Sequence, residues 1–487
     1  MYKTIIVLVT GLLITVTPGL AWSLQITEGL THNQVVQCDH ETESANIQLG
    51  GNSVVAGTLQ ARVMASQHEV LSRQTLTTIS SDNWNATIEN VPVGGPYRID
   101  LFVVDEEEND IAETSVHQVL VGDLWILAGQ SNMQGVGNKR DVETPHPQVH
   151  VFRMNHTWQL ATEPIHNLAE SPDLVHFSGT EEQRAANLVS WRDGSKGAGL
   201  GLAFAKTMVE HTGRPVGLIA TAHGGTSMTQ WNPELKDRGG ESLYGSMVQS
   251  VEGAGGKVRG MLWYQGESDA SDAKLENTPL YKERFINFIK EVRSDLDSPD
   301  LPFFYVQLGR VFVPWHEPGW NQVQVDQLVL ESELHNVATA PAIDLELDDI
   351  IHIGTPGLKI LGERLALLAC RNVFGADLEV GPRPISAVHE ATPYGRVIRV
   401  TFDSVNGSLA ARGPVNGFTL HSGETVEPHI GVYKQELDPE NDNAVLVWIH
   451  ELPENAQLWY GRGTTQYCNL VDSAGMAAPV FGPLAVE

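Results

Sequence analysis

The chain has 487 residues, too many for one ordinary domain, and its 41% apolar and 19% charged content excludes an intrinsically disordered protein. A formal net charge of −29 excludes binding to nucleic acid or to an anionic membrane through bulk electrostatics. Three cysteines, Cys38, Cys370 and Cys468, are too few for a disulfide scaffold or a thiolate zinc site.

The first stretch, MYKTIIVLVTGLLITVTPGLAWS, predicts a secretory signal over residues 1–21. Lys3 supplies a short positive region, Ile5 to Val16 is apolar, Pro18 breaks the run, and Gly19-Leu20-Ala21 offers small residues for cleavage. The run is shorter than the ~20 residues a spanning helix needs. The expectation is a secreted or periplasmic protein with no membrane contact beyond this segment. Residues 24–118 carry β-rich runs such as VVAGTLQARVMA and YRIDLFVVD, separated by turns such as VGGPY, and predict a small N-terminal β-sandwich.

From residue 119 to 376 the rhythm changes. Strand-like runs (DLWILAG, VHVFRM, PVGLIATA, VRGMLWYQ, PFFYVQLG, NVATAPAID) alternate with helical patterns. One helix places Tyr281, Phe285, Phe288, Ile289 and Val292 on one face. Another has Thr355 as N-cap, Pro356 at its first position, Leu358, Leu361, Leu365 and Leu368 on one face, and Gly375 near its end. Strands alternating with helices imply a mostly parallel sheet covered on both sides, with ligands beyond the carboxyl ends of the strands. Residues 382–487 return to a β rhythm and predict a second small β-domain. Cys370 and Cys468 are candidate disulfide partners in an oxidising compartment.

Four strand ends in the α/β segment hold the chemistry-bearing residues: GQSNM at 129–133, HGGTSMTQW at 223–231, WYQGESD at 263–269 and DIIH at 349–352. Ester hydrolysis by a serine needs a base to take the hydroxyl proton, a carboxylate to orient that base, and donors for the oxyanion. Ser131 supplies the hydroxyl where a strand gives way to a helix, whose N-terminus favours an anion. His352 supplies the base and Asp349 the orienting carboxylate. The N–H groups of Ser131 and Gly225 and the side-chain amide of Gln265 are the candidate oxyanion donors. Gly224, Trp231, Trp263 and Glu267 are candidate substrate contacts, with Tyr264 beside them; the aromatics read equally well as core. Three alternatives stay open: Asp173-Leu-Val-His176 repeats the Asp-x-x-His spacing, His223 is a rival base, and Asp348 is a rival carboxylate. Gly129-Gln-Ser131-Asn-Met133 is not the G-x-S-x-G elbow. No dinucleotide fingerprint, P-loop or H-E-x-x-H appears, so neither a metal nor an organic cofactor is expected.

The ordered set GQSNM, GGTSMTQW, WYQGESD and DIIH resembles the SGNH-type hydrolases, and within them the branch of sialate O-acetylesterases and related carbohydrate acetylesterases. The tail YGRGTTQYCNLVDSAGMAAPVF is similar to that branch as well. The resemblance implies a flavodoxin-like three-layer α/β/α domain, here flanked by two small β-domains. It implies the nucleophile at Ser131, the Asp349–His352 pair, and a block-II glycine at Gly224-Gly225. Many SGNH enzymes carry an asparagine as the third oxyanion donor; Gln265 stands in that place here. HIGTPG departs from the proline that many relatives place directly after the histidine. The expected function is an exported serine esterase that removes O-acetyl groups from a carbohydrate. Rival expectations are an acetyl-xylan or other polysaccharide acetylesterase, and a non-catalytic carbohydrate-binding protein on an esterase scaffold.

Overall fold

The computed structural model describes residues 23–272, 276–312, 317–423 and 431–487. The expected signal segment, 1–21, lies outside the described residues. The chain divides into two compact units: Met1–Thr31 with Asn46–Val91 and Pro96–Val119, and His32–Ala45 with Pro92–Gly95 and Leu120–Glu487.

The first unit is built of antiparallel strands. Leu24–Glu28, Ser44–Ser53 and Asn83–Pro92 pair in one sheet, and Gly57–Ala65 lies between His68–Ile79 and Gly94–Val104 in another. The alternation in GTLQARVMA sets the register: Leu59, Ala61 and Val63 are completely buried while their neighbours reach the surface, as the period of two in a strand requires.

The second unit carries the α/β sheet. Its strand order is Trp158–Leu160, Val149–Phe152, Val216–Ala220, the end of Asp110–Gly129, Gly260–Tyr264, Phe303–Gln307 and Val337–Pro341. All neighbours are parallel except the antiparallel edge strand Trp158–Leu160. The chain leaves the central strand 110–129 toward one side and later returns on the other, to Gly260–Tyr264. The central strand is therefore the topological switch point, where a crevice opens beyond the strand ends.

Side-chain parity shows the layers. Trp125 and Trp263 sit on adjacent strands, and Trp263 pairs with Ala128, three residues from Trp125. They therefore point to opposite faces. Trp125 meets Phe204 of helix Gly201–Thr212 edge-on at 5.1 Å, while Trp263 packs on Phe285 and Phe288 of helix Tyr281–Asp295 at 5.7 and 4.5 Å. Helices cover both faces, as the near-continuous apolar strands require. On the Trp125 side, helix Thr355–Phe374 packs on Gly201–Thr212. A Cβ at Gly362 would lie 2.5 Å from the Leu200 carbonyl oxygen, so glycine permits the close approach.

The expected C-terminal β-domain falls within this second unit. Its sheets, including the antiparallel set Arg383–Thr392, Gly395–Asp403, Ala444–Ile449 and Val432–Leu437, have their own core. Its tail also bonds to the α/β sheet: Gln307 Nε2 donates to Val480 O at 2.9 Å, and Val480 N–H returns to Gln307 Oε1 at 2.7 Å. The disulfide expectation is corrected. All three cysteines are free and buried, and Cys370 Sγ lies 3.8 Å from Met208 Sδ, within the α/β core. Cys468 belongs to the separate C-terminal core. Burial pushes the Cys370 thiol up to about 11, so it stays protonated and inert.

Candidate active site

The central strand ends at Gly129 with φ +131°, where a Cβ would fall 2.2 Å from the Tyr264 carbonyl oxygen. Only glycine fits this exit. Gln130 N–H is tied to Tyr264 O at 2.8 Å, and Ser131 opens a single helical turn, Ser131–Gln134. One turn carries little macrodipole, so the field expected from a helix N-terminus reduces here to the Ser131 N–H itself.

The residues from 349 to 352 reach this serine across 221 positions of sequence. His352 Nε2 is 3.0 Å from Ser131 Oγ, and His352 Nδ1 is 2.8 and 3.0 Å from the two Asp349 oxygens. Asp349 Oδ1 also accepts the N–H groups of Ile351 and His352 at 3.0 and 2.9 Å, an Asx-type turn that fixes the carboxylate. Burial alone would raise the Asp349 pKa. The hydrogen bonds from His352 and these two backbone groups outweigh it and hold the carboxyl below its usual range. An ionised Asp349 selects the tautomer with hydrogen on Nδ1, leaving Nε2 free to accept from Ser131. Asp348 takes no part in this array. Its Oδ2 accepts from Asn138 N–H and Nδ2 at 2.8 and 2.6 Å, which anchors the loop.

The glycine pair sits against the serine. A Cβ on Gly224 would lie 3.4 Å from Ser131 Cβ, and Gly224 N–H donates to Gln134 Oε1 at 2.8 Å. Gly225 has φ +73° and faces open space. Among the described residues, neither the Ser131 nor the Gly225 N–H meets a protein acceptor. Two donors at the nucleophile are thus unspent.

The third expected donor is placed otherwise. Gln265 is fully buried, and its amide nitrogen donates to Asp269 Oδ2 at 2.6 Å and Thr226 O at 3.0 Å. An amide has two hydrogens, and both are used. Gln265 therefore holds the carbonyl that follows Gly225. Asp269, which also takes Met228 N–H at 3.0 Å, completes the support of the same turn.

The expected substrate contacts are corrected as well. Trp231 and Trp263 have no exposed surface and Tyr264 has 1%, so none offers a face to a sugar. Strand parity and helix packing turn Trp263 into the core, and Trp231 packs edge-on against it at 5.2 Å. Glu267 is buried and accepts from Asn132 Nδ2 at 2.7 Å. Burial pushes its carboxyl up, opposed by that bond. Asn132 also accepts Ile353 N–H at 3.0 Å, so it ties the nucleophile turn to the His352 loop. Neither this role nor that of Gln134 was singled out from sequence. The signal was there in QSNMQ, whose amide side chains flank the serine. His223 and His176 bond to each other at 3.0 Å, and among the described residues the histidine bonded to Ser131 Oγ is His352. Among the described residues, no group of three or more His, Cys, Asp or Glu side chains is gathered to hold a metal ion.

Known proteins carry the same segment. The carbohydrate esterase family described as sialic acid-specific acetylesterase matches residues 121–371. A probable carbohydrate esterase of Arabidopsis thaliana is 30% identical over 258 residues, 50% of this chain and 88% of that protein. Human sialate O-acetylesterase is 24% identical over 351 residues, 63% of each chain. The crystal structure of a carbohydrate acetylesterase from Xanthomonas citri shares the fold, with a TM-score of 0.64 at 21% identity, covering 94% of this chain and 99% of that one. A match over half the chain, centred on the strand ends that hold Ser131, Gly225 and His352, places the protein in the sialic acid-specific acetylesterase family of carbohydrate esterases.

Proposed function

We propose that the protein is an exported serine esterase that removes O-acetyl groups from carbohydrates, most like a sialate O-acetylesterase. The observation that carries this reading is the unbroken array Ser131–His352–Asp349, with bonds of 3.0 and 2.8 Å, beside two unspent backbone donors. Ser131 Oγ attacks the acetyl carbonyl as His352 Nε2 takes its proton, and Asp349 stabilises the resulting imidazolium. The N–H groups of Ser131 and Gly225 receive the oxyanion. His352 then gives the proton to the departing sugar oxygen, leaving an acetyl ester on Ser131. Water, activated by the same imidazole, releases acetate and restores the serine. Gln265 holds the oxyanion turn in place and does not donate directly.

A non-catalytic carbohydrate binder has no use for such an array. Covalent labelling by a fluorophosphonate, abolished in Ser131→Ala, is the expected outcome. A wild-type protein that resists the label and does not turn over p-nitrophenyl acetate would end the esterase reading. Acetate release from O-acetylated sialic acid, xylan and pectin, measured side by side, separates a sialate from a polysaccharide substrate. Export rests on the apolar run Ile5 to Val16 behind Lys3. An N-terminus near residue 22 in protein recovered outside the cytoplasm is its test.

A further inference from the structure

Behind the Gly224-Gly225 turn lies the second Asp-x-x-His of the chain, which the hydrolytic cycle leaves unused. Its members form a relay. Ser246 Oγ donates its single hydrogen to Asp173 Oδ2. His176 Nε2, 3.1 Å from that same Oγ, must therefore be the donor to it. A neutral imidazole protonated on Nε2 has Nδ1 as an acceptor. His223 Nδ1, 3.0 Å away, must then carry the hydrogen between the two rings. One nitrogen remains, His223 Nε2, unprotonated and without a partner among the described residues. Burial keeps both rings neutral: it pushes His176 down to about 3, helped by the neighbouring imidazoles, and lowers His223 as well. Asp173 is also faced by His156 Nε2 at 3.8 Å.

His223 is half-buried and lines a cavity of about 160 Å³ together with Gln230, Glu241, Leu235 and Leu243. The next residue, Gly224, packs on Ser131. His223 thus links the cavity to the turn that packs on the nucleophile, and the cavity's mixture of polar side chains and leucines suits a pyranose ring, with hydroxyl edges and apolar C–H faces. An acetyl group has no hydrogen to offer a lone pair, but a sugar hydroxyl does.

We propose that His223 is a substrate-selecting residue whose Nε2 accepts a hydrogen bond from a free hydroxyl of the acetylated sugar. Asp173 dictates the required tautomer through Ser246 and His176. The proposal deepens the carbohydrate O-acetylesterase reading and rests on it.

The test compares kcat/KM for an O-acetylated sugar with kcat/KM for p-nitrophenyl acetate, which has no hydroxyl. In His223→Phe the ratio of the two should fall by roughly 10- to 100-fold, the value of one substrate hydrogen bond with a half-buried partner. His223→Gln, whose amide oxygen can occupy the Nε2 position, should restore part of it. A ratio unchanged in His223→Phe, whatever happens to the two rates, overturns the proposal. A wild-type enzyme that hydrolyses p-nitrophenyl acetate but no acetylated sugar overturns the carbohydrate reading and this inference with it. Independent of any variant's folding, ¹⁵N-histidine-labelled wild-type protein should show His223 protonated on Nδ1 and His176 on Nε2. The opposite pair of tautomers refutes the relay.

Discussion

Asp349→Asn isolates what the carboxylate does. Asp349 Oδ1 accepts two backbone N–H groups at 3.0 and 2.9 Å, and an asparagine oxygen can keep both, so the loop survives. The atom facing His352 Nδ1 at 2.8 Å then changes from an acceptor oxygen to an amide donor. Oδ1 stays an acceptor at 3.0 Å but is shared with two backbone N–H groups, while the amide donor at the shorter distance repels an Nδ1–H, so the tautomer with the hydrogen on Nε2 is favoured. Nε2 then faces Ser131 Oγ at 3.0 Å with no lone pair for the hydroxyl proton. For a buried triad aspartate this change costs about 10⁴-fold in kcat. The Asp349 side chain is 41% exposed and that of His352 24%. Water therefore screens the part of the effect that stabilises the imidazolium, while the tautomer part is not screened. We expect kcat for an acetyl ester to fall roughly 10³-fold, about 4 kcal/mol of barrier, with an unchanged thermal melt. A folded variant that keeps more than about a tenth of wild-type kcat, the effect of a minor contact at ~1.4 kcal/mol, would refute the assigned role of Asp349.

His352→Ala should lower kcat by roughly 10⁴-fold, the upper range for a general base, whereas His176→Ala should leave p-nitrophenyl acetate turnover within about tenfold; equal losses would move the base. Asn132→Ala leaves a Glu267 oxygen and the Ile353 N–H unpaired in a buried setting. It should cost about 2–4 kcal/mol in urea unfolding, and a cost below about 0.5 kcal/mol removes Asn132 as the tie between the two loops. Stability should also depend on pH. Burial pushes His166 down to about 4 and His176 to about 3, against 6.5 for an ordinary imidazole. Between 6.5 and about 4 the unfolded chain binds more protons than the native one, so stability falls as pH falls through that window. Glu163, pushed up to about 7 by burial against 4.5, acts in the opposite sense over much of the same range. Buried Glu267, also raised, acts in the same sense as Glu163. Glu163→Gln removes one of these opposing groups, so its urea midpoint should change more in the downward direction from pH 6.5 to pH 5 than the wild-type midpoint does. A change equal to that of the wild type, or more upward, overturns the sign.

Much of the α/β fold was legible because its signals are local. Apolar runs such as DLWILAG and PVGLIATA read as strands covered on both faces, and helix Thr355–Phe374 has its stop written beside it in Gly375; its start is corrected by one residue, with Gly354 as the N-cap and the Thr355 hydroxyl donating to Asn138 O instead of capping. The site was legible for a related reason. In a parallel sheet, residues that follow strands gather at one edge, so GQSNM, HGG and DIIH converge whatever the details of packing. The Gln265 amide was not legible. Its direction is set by Thr226, 39 residues away, and by the buried Asp269. Nor were the roles of the two Asp-x-x-His copies separable by spacing alone.

The sequence by itself determined the order of the strand-end motifs, the candidate nucleophile, base and carboxylate, and the apolar stripes of the helices, because each depends on residues close together in the chain. The tertiary structure decided the rest. Strand parity turned Trp263 into the core and edge-to-face packing took Trp231 with it, so neither meets a sugar. Thr226 O, from a distant segment, and the buried Asp269 carboxylate, four residues on, claimed both hydrogens of Gln265. The second Asp-x-x-His became a buried relay to His223 because Ser246 lies between its carboxylate and its ring. Whether a polar side chain is free to act depends on which groups from elsewhere in the chain have already taken its hydrogens, and only the folded arrangement fixes that.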